Sequence, residues 1–252
     1  MVFADYLRGN GIELGALNTP LDISEVGSIR RLQYVDRYYK DELLELFPEL
    51  LAVQDQIVET DVTCDIIDGL SSFGDASLDF IIACHLVEHV PDPIFFLKEI
   101  WRVLSIGGRC YLAVPDKDFL AYDAKRSLTT IEHLVADNVK GIRTVEDHHL
   151  EEFLTLSEGL ELPAEPAARA AVFEQQRRRS IHIHVWNMQT FCRFLLHFIR
   201  EYLPFRLVDV SIPTQNERAE MLFILEKAPQ NAIGNLFHPG MARLARLAGA
   251  ID

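Results

Sequence analysis

Residues 79–115 constrain the fold of this chain more than any other stretch. Phe80-Ile81-Ile82-Ala83-Cys84 is an apolar run of strand length that follows the turn signal Gly74-Asp75. Pro91 and Pro93 then suit the first turn of a helix. Ile94, Leu97, Trp101 and Leu104 recur at spacings of three and four, so they share one buried face, with Lys98, Glu99 and Arg102 off it. Gly107-Gly108 stops the helix, and residues 109–114 read as the next strand. Strand, helix and strand in succession form the unit of a parallel sheet.

The same rhythm runs through most of the chain. Gly11-Ile12-Glu13-Leu14-Gly15 reads as a first buried strand and residues 32–35 as a second, closed by Asp36. Between them Asn18-Thr19-Pro20 marks a loop or a helix start. Residues 41–51 carry a helical spacing broken at Pro48, and a third strand is expected near 62–67. Residues 117–185 interrupt the alternation and read as mostly helical. Thr129 and Glu132 form a capping box before one helix, and residues 145–156 and 164–178 form two more. An amphipathic helix over 188–203 and strands over 205–212 and 219–226 resume the pattern. The expected organisation is a core over 1–116, a helical lid insertion over 117–185, completion of the sheet over 186–228, and a tail over 229–252 with no assigned element.

Charge and composition narrow the partners. The formal net charge is −14, which repels nucleic-acid phosphates unless basic residues cluster. The one basic run, Arg177-Arg178-Arg179, lies in a helical segment and reads as a solvated face. Neither nucleic acid nor membrane is an expected partner, because charges interrupt every long apolar stretch. The four cysteines, Cys64, Cys84, Cys110 and Cys192, form no C-x-x-C pair and sit among apolar residues. They read as small core residues of a reducing, cytoplasmic setting.

Residues 79–90, then Asp92-Pro93, residues 97–108 and Tyr111 to Pro115 together resemble the core of class I S-adenosylmethionine-dependent methyltransferases. The pattern is an aspartate opening the fourth strand, the step Val87-Glu88-His89, an Asp-Pro helix start, and Arg102-Val103-Leu104 with two glycines before the fifth strand. Glu13-Leu14-Gly15-Ala16-Leu17-Asn18 departs from the usual glycine-rich first motif, keeping only the acid and first glycine. It resembles a variant bacterial subgroup, as do Tyr34-Val35-Asp36-Arg37-Tyr38 and His182-Ile183-His184-Val185-Trp186. The resemblance implies an α/β, doubly wound, mostly parallel seven-stranded, Rossmann-like sheet. It also implies S-adenosylmethionine as cofactor and S-adenosylhomocysteine as product; a small molecule or glycan is the expected acceptor.

Ligands of such sheets bind beyond the C-terminal ends of the strands. There Gly15 and Ala16 allow close backbone approach and Glu13 attracts the cofactor's ammonium. Asp36, followed by Arg37, suits the ribose diol, although it could instead cap a helix. Asp68-Gly69 falls near the family's adenine-edge position, with Asp65 as the alternative. Cys84 and His85 line the methionine end.

The candidate catalytic residues are His85, His149, His182 and His184. A neutral imidazole can take a proton from a hydroxyl or amine acceptor near physiological pH. In an extended segment His182 and His184 project to one side and Ile181 and Ile183 to the other. A His-x-His pair beside Asp147-His148-His149 could also bind zinc, or these histidines could serve buried hydrogen bonds. The pocket reading is preferred, and no metal is expected. Two rival functions remain: a nicotinamide-dependent oxidoreductase, against which the missing G-x-G-x-x-G counts, and a non-catalytic binding module.

Overall fold

The computed structural model describes residues 3–213, 219–232 and 239–250. Seven strands form one sheet: β1 Gly9–Leu14, β2 Ile29–Asp36, β3 Val62–Thr63, β4 Leu78–Cys84, β5 Leu104–Pro115, β6 Phe205–Ser211 and β7 Glu220–Lys227. Their order is β3-β2-β1-β4-β5-β7-β6, so the direction of winding reverses between β1 and β4. All pairs are parallel except β7, which runs antiparallel to both β5 and β6. The expected α/β, mostly parallel seven-stranded sheet is therefore present.

The helices are α1 Lys40–Leu46, α2 Pro93–Val103, α3 Ile131–Lys140, α4 Asp147–Glu152, α5 Pro166–Arg179, α6 Met188–Glu201 and α7 Pro239–Leu247. Helix α2 starts as its sequence dictates. Pro93 occupies the first turn, and the Asp92 side chain caps the Phe95 amide at 2.9 Å. Its apolar face joins β1, β4, β5 and α6 in the main core, which includes Ile12, Ile81, Ile94, Leu97, Leu112 and Phe194. The chain passes straight from α2 into β5, so Gly107 and Gly108 lie within the strand rather than ahead of it. Beyond Pro229, α7 buries Met241, Leu244 and Ala245 in the same core, while 233–238 and 251–252 lie outside the described residues.

Two local expectations shift, and the break at Pro48 falls where expected. The third strand shrinks to two residues. Helix α3 is capped by Thr130, which accepts from the His133 amide at 3.2 Å, and Thr129 instead receives the Val185 amide at 2.9 Å. At Pro48 the chain leaves α1 for a 3-10 stretch, Pro48–Gln56, because proline removes an amide from the helical ladder.

The other face of the sheet is covered differently. Phe80, Ile82, Tyr111, Ala113, Leu222 and Ile224 pack there against Leu7, Tyr6, Leu21 and Ile23. The link between β1 and β2 is a loop, so of the two readings of Asn18-Thr19-Pro20 the loop is realised. Gly11 is required on this face: a β-carbon there would lie 2.5 Å from the ring of Phe80, which is fully buried and has nowhere to move. Gly11→Ala is expected to cost about 1–3 kcal/mol by overpacking. The check is the urea midpoint of unfolding; an unchanged midpoint would contradict the close approach.

Candidate active site

The reversal of strand order leaves a crevice at the carboxyl ends of β1 and β4. Two adjoining cavities open there. The first, of about 310 Å³, is lined by Asp36, Arg37, Asp65, Ile66, Leu86 and Val90 among others. The second, of about 820 Å³, is lined by Glu13, Thr19, Asp22, Cys84, Tyr111 and Glu220 among others. Gly15, Leu17, His85 and His89 border both.

The chain reaches this crevice through unusual backbone. Gly15 follows β1 with φ of +63°, which favours glycine, and its amide donates to the Val35 carbonyl at 2.9 Å. His85 follows β4 with φ of +51°, a left-handed conformation uncommon for a residue with a β-carbon. Its amide is held by the Ala113 carbonyl at 2.9 Å. Strain of this kind persists where surrounding contacts fix it, and it concentrates at functional sites.

Glu13 is 2% exposed. Its Oε1 accepts from the Leu21 amide at 2.8 Å, whereas its Oε2 is buried without a partner. Burial pushes the Glu13 carboxyl up to about 7, against the pull of the Leu21 amide. Asp36 ends β2 and is also raised by burial, opposed by the Tyr38 and Arg37 amides and the Arg37 charge. It does not cap α1, whose N-cap is Tyr39, braced by Glu42. Arg37 reaches across the first cavity to Asp65 at 2.9 Å. Asp65 thus faces the cavity, while Asp68 is exposed and Gly69 packs beneath Phe95 and Glu99 of α2. The Cys84 thiol is raised far above its ordinary value by burial and by the carboxylates near it, so it stays protonated.

His85 is clasped between two carboxylates. Its Nε2 donates to Glu220 Oε2 at 2.6 Å, and its Nδ1 lies 3.6 Å from Glu88 Oε1. Burial alone would lower its pKa, but Glu220 and Glu88 outweigh it and hold the imidazole up to about 10. Glu88 is fully buried. Burial would raise its carboxyl, yet His85, His89 and His182 hold it below the usual range. Its oxygens make no short hydrogen bond, so these contacts act through charge. His89 donates from Nδ1 to the Ile181 carbonyl at 2.7 Å and turns Nε2 towards Glu88 at 3.8 Å.

The His-x-His segment does not present one face. Residues 181–186 form no regular strand, so alternation does not apply. His182 packs edge-on against His89 and donates to Asp123 at 2.7 Å, which ties it to the Glu88 group. His184 turns the other way, into a second group with His133, His149 and Trp186. Of the four candidate catalytic histidines, His85 lines both cavities, His182 adjoins them through His89, and His149 and His184 line neither. Residues 178–180, at the end of α5, complete the wall of the first cavity.

Arg126 fixes the segment from behind. It is 1% exposed and donates to the carbonyls of His182 at 2.6 Å and Ile183 at 3.1 Å. Asp123 and Glu152 neutralise it, each at 3.1 Å. Glu88, Glu220 and Arg126 escape a reading of the sequence. Glu88 stands inside the Val87-Glu88-His89 step, yet its contact with His182 depends on the fold. Glu220 meets His85 only because β7 returns antiparallel beside β5, pairing Pro115 with Glu220.

Residues 29–112 match the family model described as a methyltransferase domain. This span contains β2 through most of β5, the strands that build the first cavity and the His85 turn. Residues 29–112 are thereby identified as a methyltransferase domain. Its fold is similar to that of a SAM-dependent methyltransferase from Methanosarcina mazei, at 17% identity over 89% of this chain and 95% of the other, with a TM-score of 0.42. It is likewise similar to an arsenic(III) S-adenosylmethionine methyltransferase from Chlamydomonas reinhardtii, at 15% identity over 87% and 64%, with a TM-score of 0.42. No curated protein matches the chain significantly. A methyltransferase domain sets aside both the oxidoreductase and the non-catalytic module, and the methyl donor is S-adenosylmethionine. Among the described residues of this methyltransferase, no helix is long and apolar enough to cross a membrane.

Proposed function

We propose that this methyltransferase methylates a hydroxyl or amine of a neutral or cationic small-molecule or glycan acceptor, with His85 receiving the acceptor's proton. The observation that carries the reading is His85 itself, held in a left-handed turn between Glu88 and Glu220 on the border of both cavities. Glu13, Asp22 and Glu220 make the larger cavity acidic, which disfavours polyanionic acceptors such as nucleic acids.

The residues present suit the cofactor. Glu13 Oε2 is a buried acceptor without a donor, which an ammonium would supply. Gly15 and Ala16 bring backbone to the methionine end beside Cys84 and His85, and Asp36 and Asp65 face the adenosine side with Arg37 between them. The cofactor supplies an activated methyl on a sulfonium, so the chain's task is alignment and proton handling. A cation bound beside His85 opposes the imidazolium charge, which favours loss of its proton to solvent. The neutral ring then accepts the acceptor's proton as the methyl–sulfur bond breaks and the new bond to oxygen or nitrogen forms. Residues 117–185 act in this reading as a lid on the 1–116 core and bring residues 178–180 to the cavity, and residues 186–228 complete the sheet.

The deciding experiment screens a library of alcohols, amines and glycans for S-adenosylhomocysteine release. Release with no neutral or cationic member would sink the acceptor assignment. A binding measurement tests the cofactor side. Glu13 must be ionised to pair with an ammonium, and its carboxyl titrates near 7 before binding. Cofactor affinity is therefore expected to hold above pH 7 and to fall by up to about tenfold per unit below it. Glu13→Gln should weaken binding about ten- to a hundredfold at pH 8 and flatten this dependence. Calorimetric titrations from pH 5.5 to 8.5 check both; an unchanged slope in the variant removes Glu13 from the site.

A further inference from the structure

We infer that His133, His148 and His149 form a binding site for a divalent metal, zinc by its ligand chemistry, with Asp137 adding negative charge beside His133. One imidazole nitrogen from each histidine falls within 4.8 Å of the other two. His133 Nε2 lies 3.2 Å from His149 Nε2 and 3.2 Å from Asp137 Oδ2. Zinc bonds of about 2.0–2.1 Å in tetrahedral geometry set ligand atoms about 3.3–3.4 Å apart. The His133–His149 distance already has that spacing.

Hydrogen bonding explains the cluster poorly. A neutral His133 carries at most one hydrogen on Nε2, which cannot serve both His149 and Asp137 well. If that nitrogen is instead the acceptor from His149, its lone pair faces a buried carboxylate. A cation held by the histidines relieves this conflict and is offset by the Asp137 carboxylate beside His133. An independent observation concerns His184, 1% exposed, whose ring lies 5.6 Å from that of His133 and 5.7 Å from that of His149. Both its nitrogens are buried without a well-formed hydrogen bond, the Pro91 carbonyl being the nearest acceptor, and such under-satisfied groups suit a water or ion nearby.

The sequence supplies these groups with the right local geometry. His133 and Asp137 are four apart on α3 and so share a face. His148 and His149 sit in the first turn of α4. The cations acting on the group are Lys140, beside Asp137, and Arg126, already neutralised by Asp123 and Glu152. Glu146, 3.8 Å from His148 Nδ1, adds negative charge at the exposed side. The group lines neither cavity, so the metal's role is to pin α3 to α4. This ligand set differs from a His182–His184 pair, which the fold splits between two groups.

The test uses full-length protein purified without a histidine tag. Elemental analysis is expected to find stoichiometric zinc in the wild type and in His182→Ala, and little in His133→Asn and His149→Ala. Removing one ligand should weaken zinc affinity by more than the roughly 10–100-fold typical of outer-shell partners. Because a variant can fail to fold, chelator-stripped wild type is also titrated with cobalt(II). The intense visible bands of tetrahedral coordination, displaced by zinc, together with a rise in melting temperature, support the site. Wild type that binds neither metal overturns it. Metal lost with His182→Ala but kept in both other variants also overturns it, and moves the ion to Glu88, His89 and His182. None of these readouts depends on methyl transfer.

Discussion

His85→Ala is expected to lower turnover by about 10²–10⁴-fold while leaving S-adenosylhomocysteine affinity near that of the wild type, since a general base acts on the chemical step. The pH profile separates this role from a structural one. His85 is held up to about 10, so before the site is loaded it carries a proton at neutral pH. As a base it must first lose that proton, and kcat/KM for the acceptor should rise with pH towards an alkaline limit. Glu220→Gln removes the stronger of the two carboxylate contacts and should move that limit towards neutrality. The same shift makes a stability statement. A histidine whose folded pKa exceeds its unfolded value of about 6.5 contributes fully below that pH and progressively less as pH rises through 10. The gap in unfolding free energy between wild type and His85→Ala should therefore narrow over that window. A His85→Ala enzyme with wild-type turnover at every pH would end the assignment.

Arg126→Ala is expected to destabilise the protein by about 3–5 kcal/mol. The loss is not one of attraction alone. Without the guanidinium, Asp123 at 3% side-chain exposure becomes a buried charge with one partner fewer, and the carbonyls of His182 and Ile183 lose their donors. Glu152 is more exposed and can turn to water. Denaturant unfolding measures the cost, and limited proteolysis locates it, with cleavage expected within residues 117–185. A change below about 1 kcal/mol would show that Arg126 is replaceable by solvent.

Much of this molecule is legible before any coordinates. The βαβ unit over residues 79–115 can be read because apolar period and proline agree, from Asp92 capping α2 to the buried run of β4, while Gly107-Gly108 misplaces only the boundary with β5. Glu13, Gly15 and Asp36 can be placed because strand ends in a parallel sheet converge on one crevice. What resists reading is direction where no regular element sets it. His182 and His184 part company because residues 181–186 are not a strand. Asp65 replaces Asp68 at the cavity because the turn after β3 folds back, the Asp68 amide binding the Asp65 carbonyl at 3.0 Å. His133, spaced as an ordinary helix-surface residue, meets His149 only through tertiary packing.

The loop that replaces a helix between β1 and β2 has a consequence for how such an enzyme can diversify. Thr19, Pro20, Leu21 and Asp22 form one wall of the larger cavity, yet none of them belongs to the sheet or its helices. They are tied to the rest of the site by the Leu21 amide on Glu13, the Thr19 amide on the Ala16 carbonyl, and the packing of the Leu21 side chain on the sheet. Loops of this kind tolerate insertion and replacement far better than packed elements. In the proposed reading, acceptor preference is carried in part by this loop, and donor binding by the strand ends. A lineage built on this plan is free to exchange the molecules it modifies while its methyl donor stays constant.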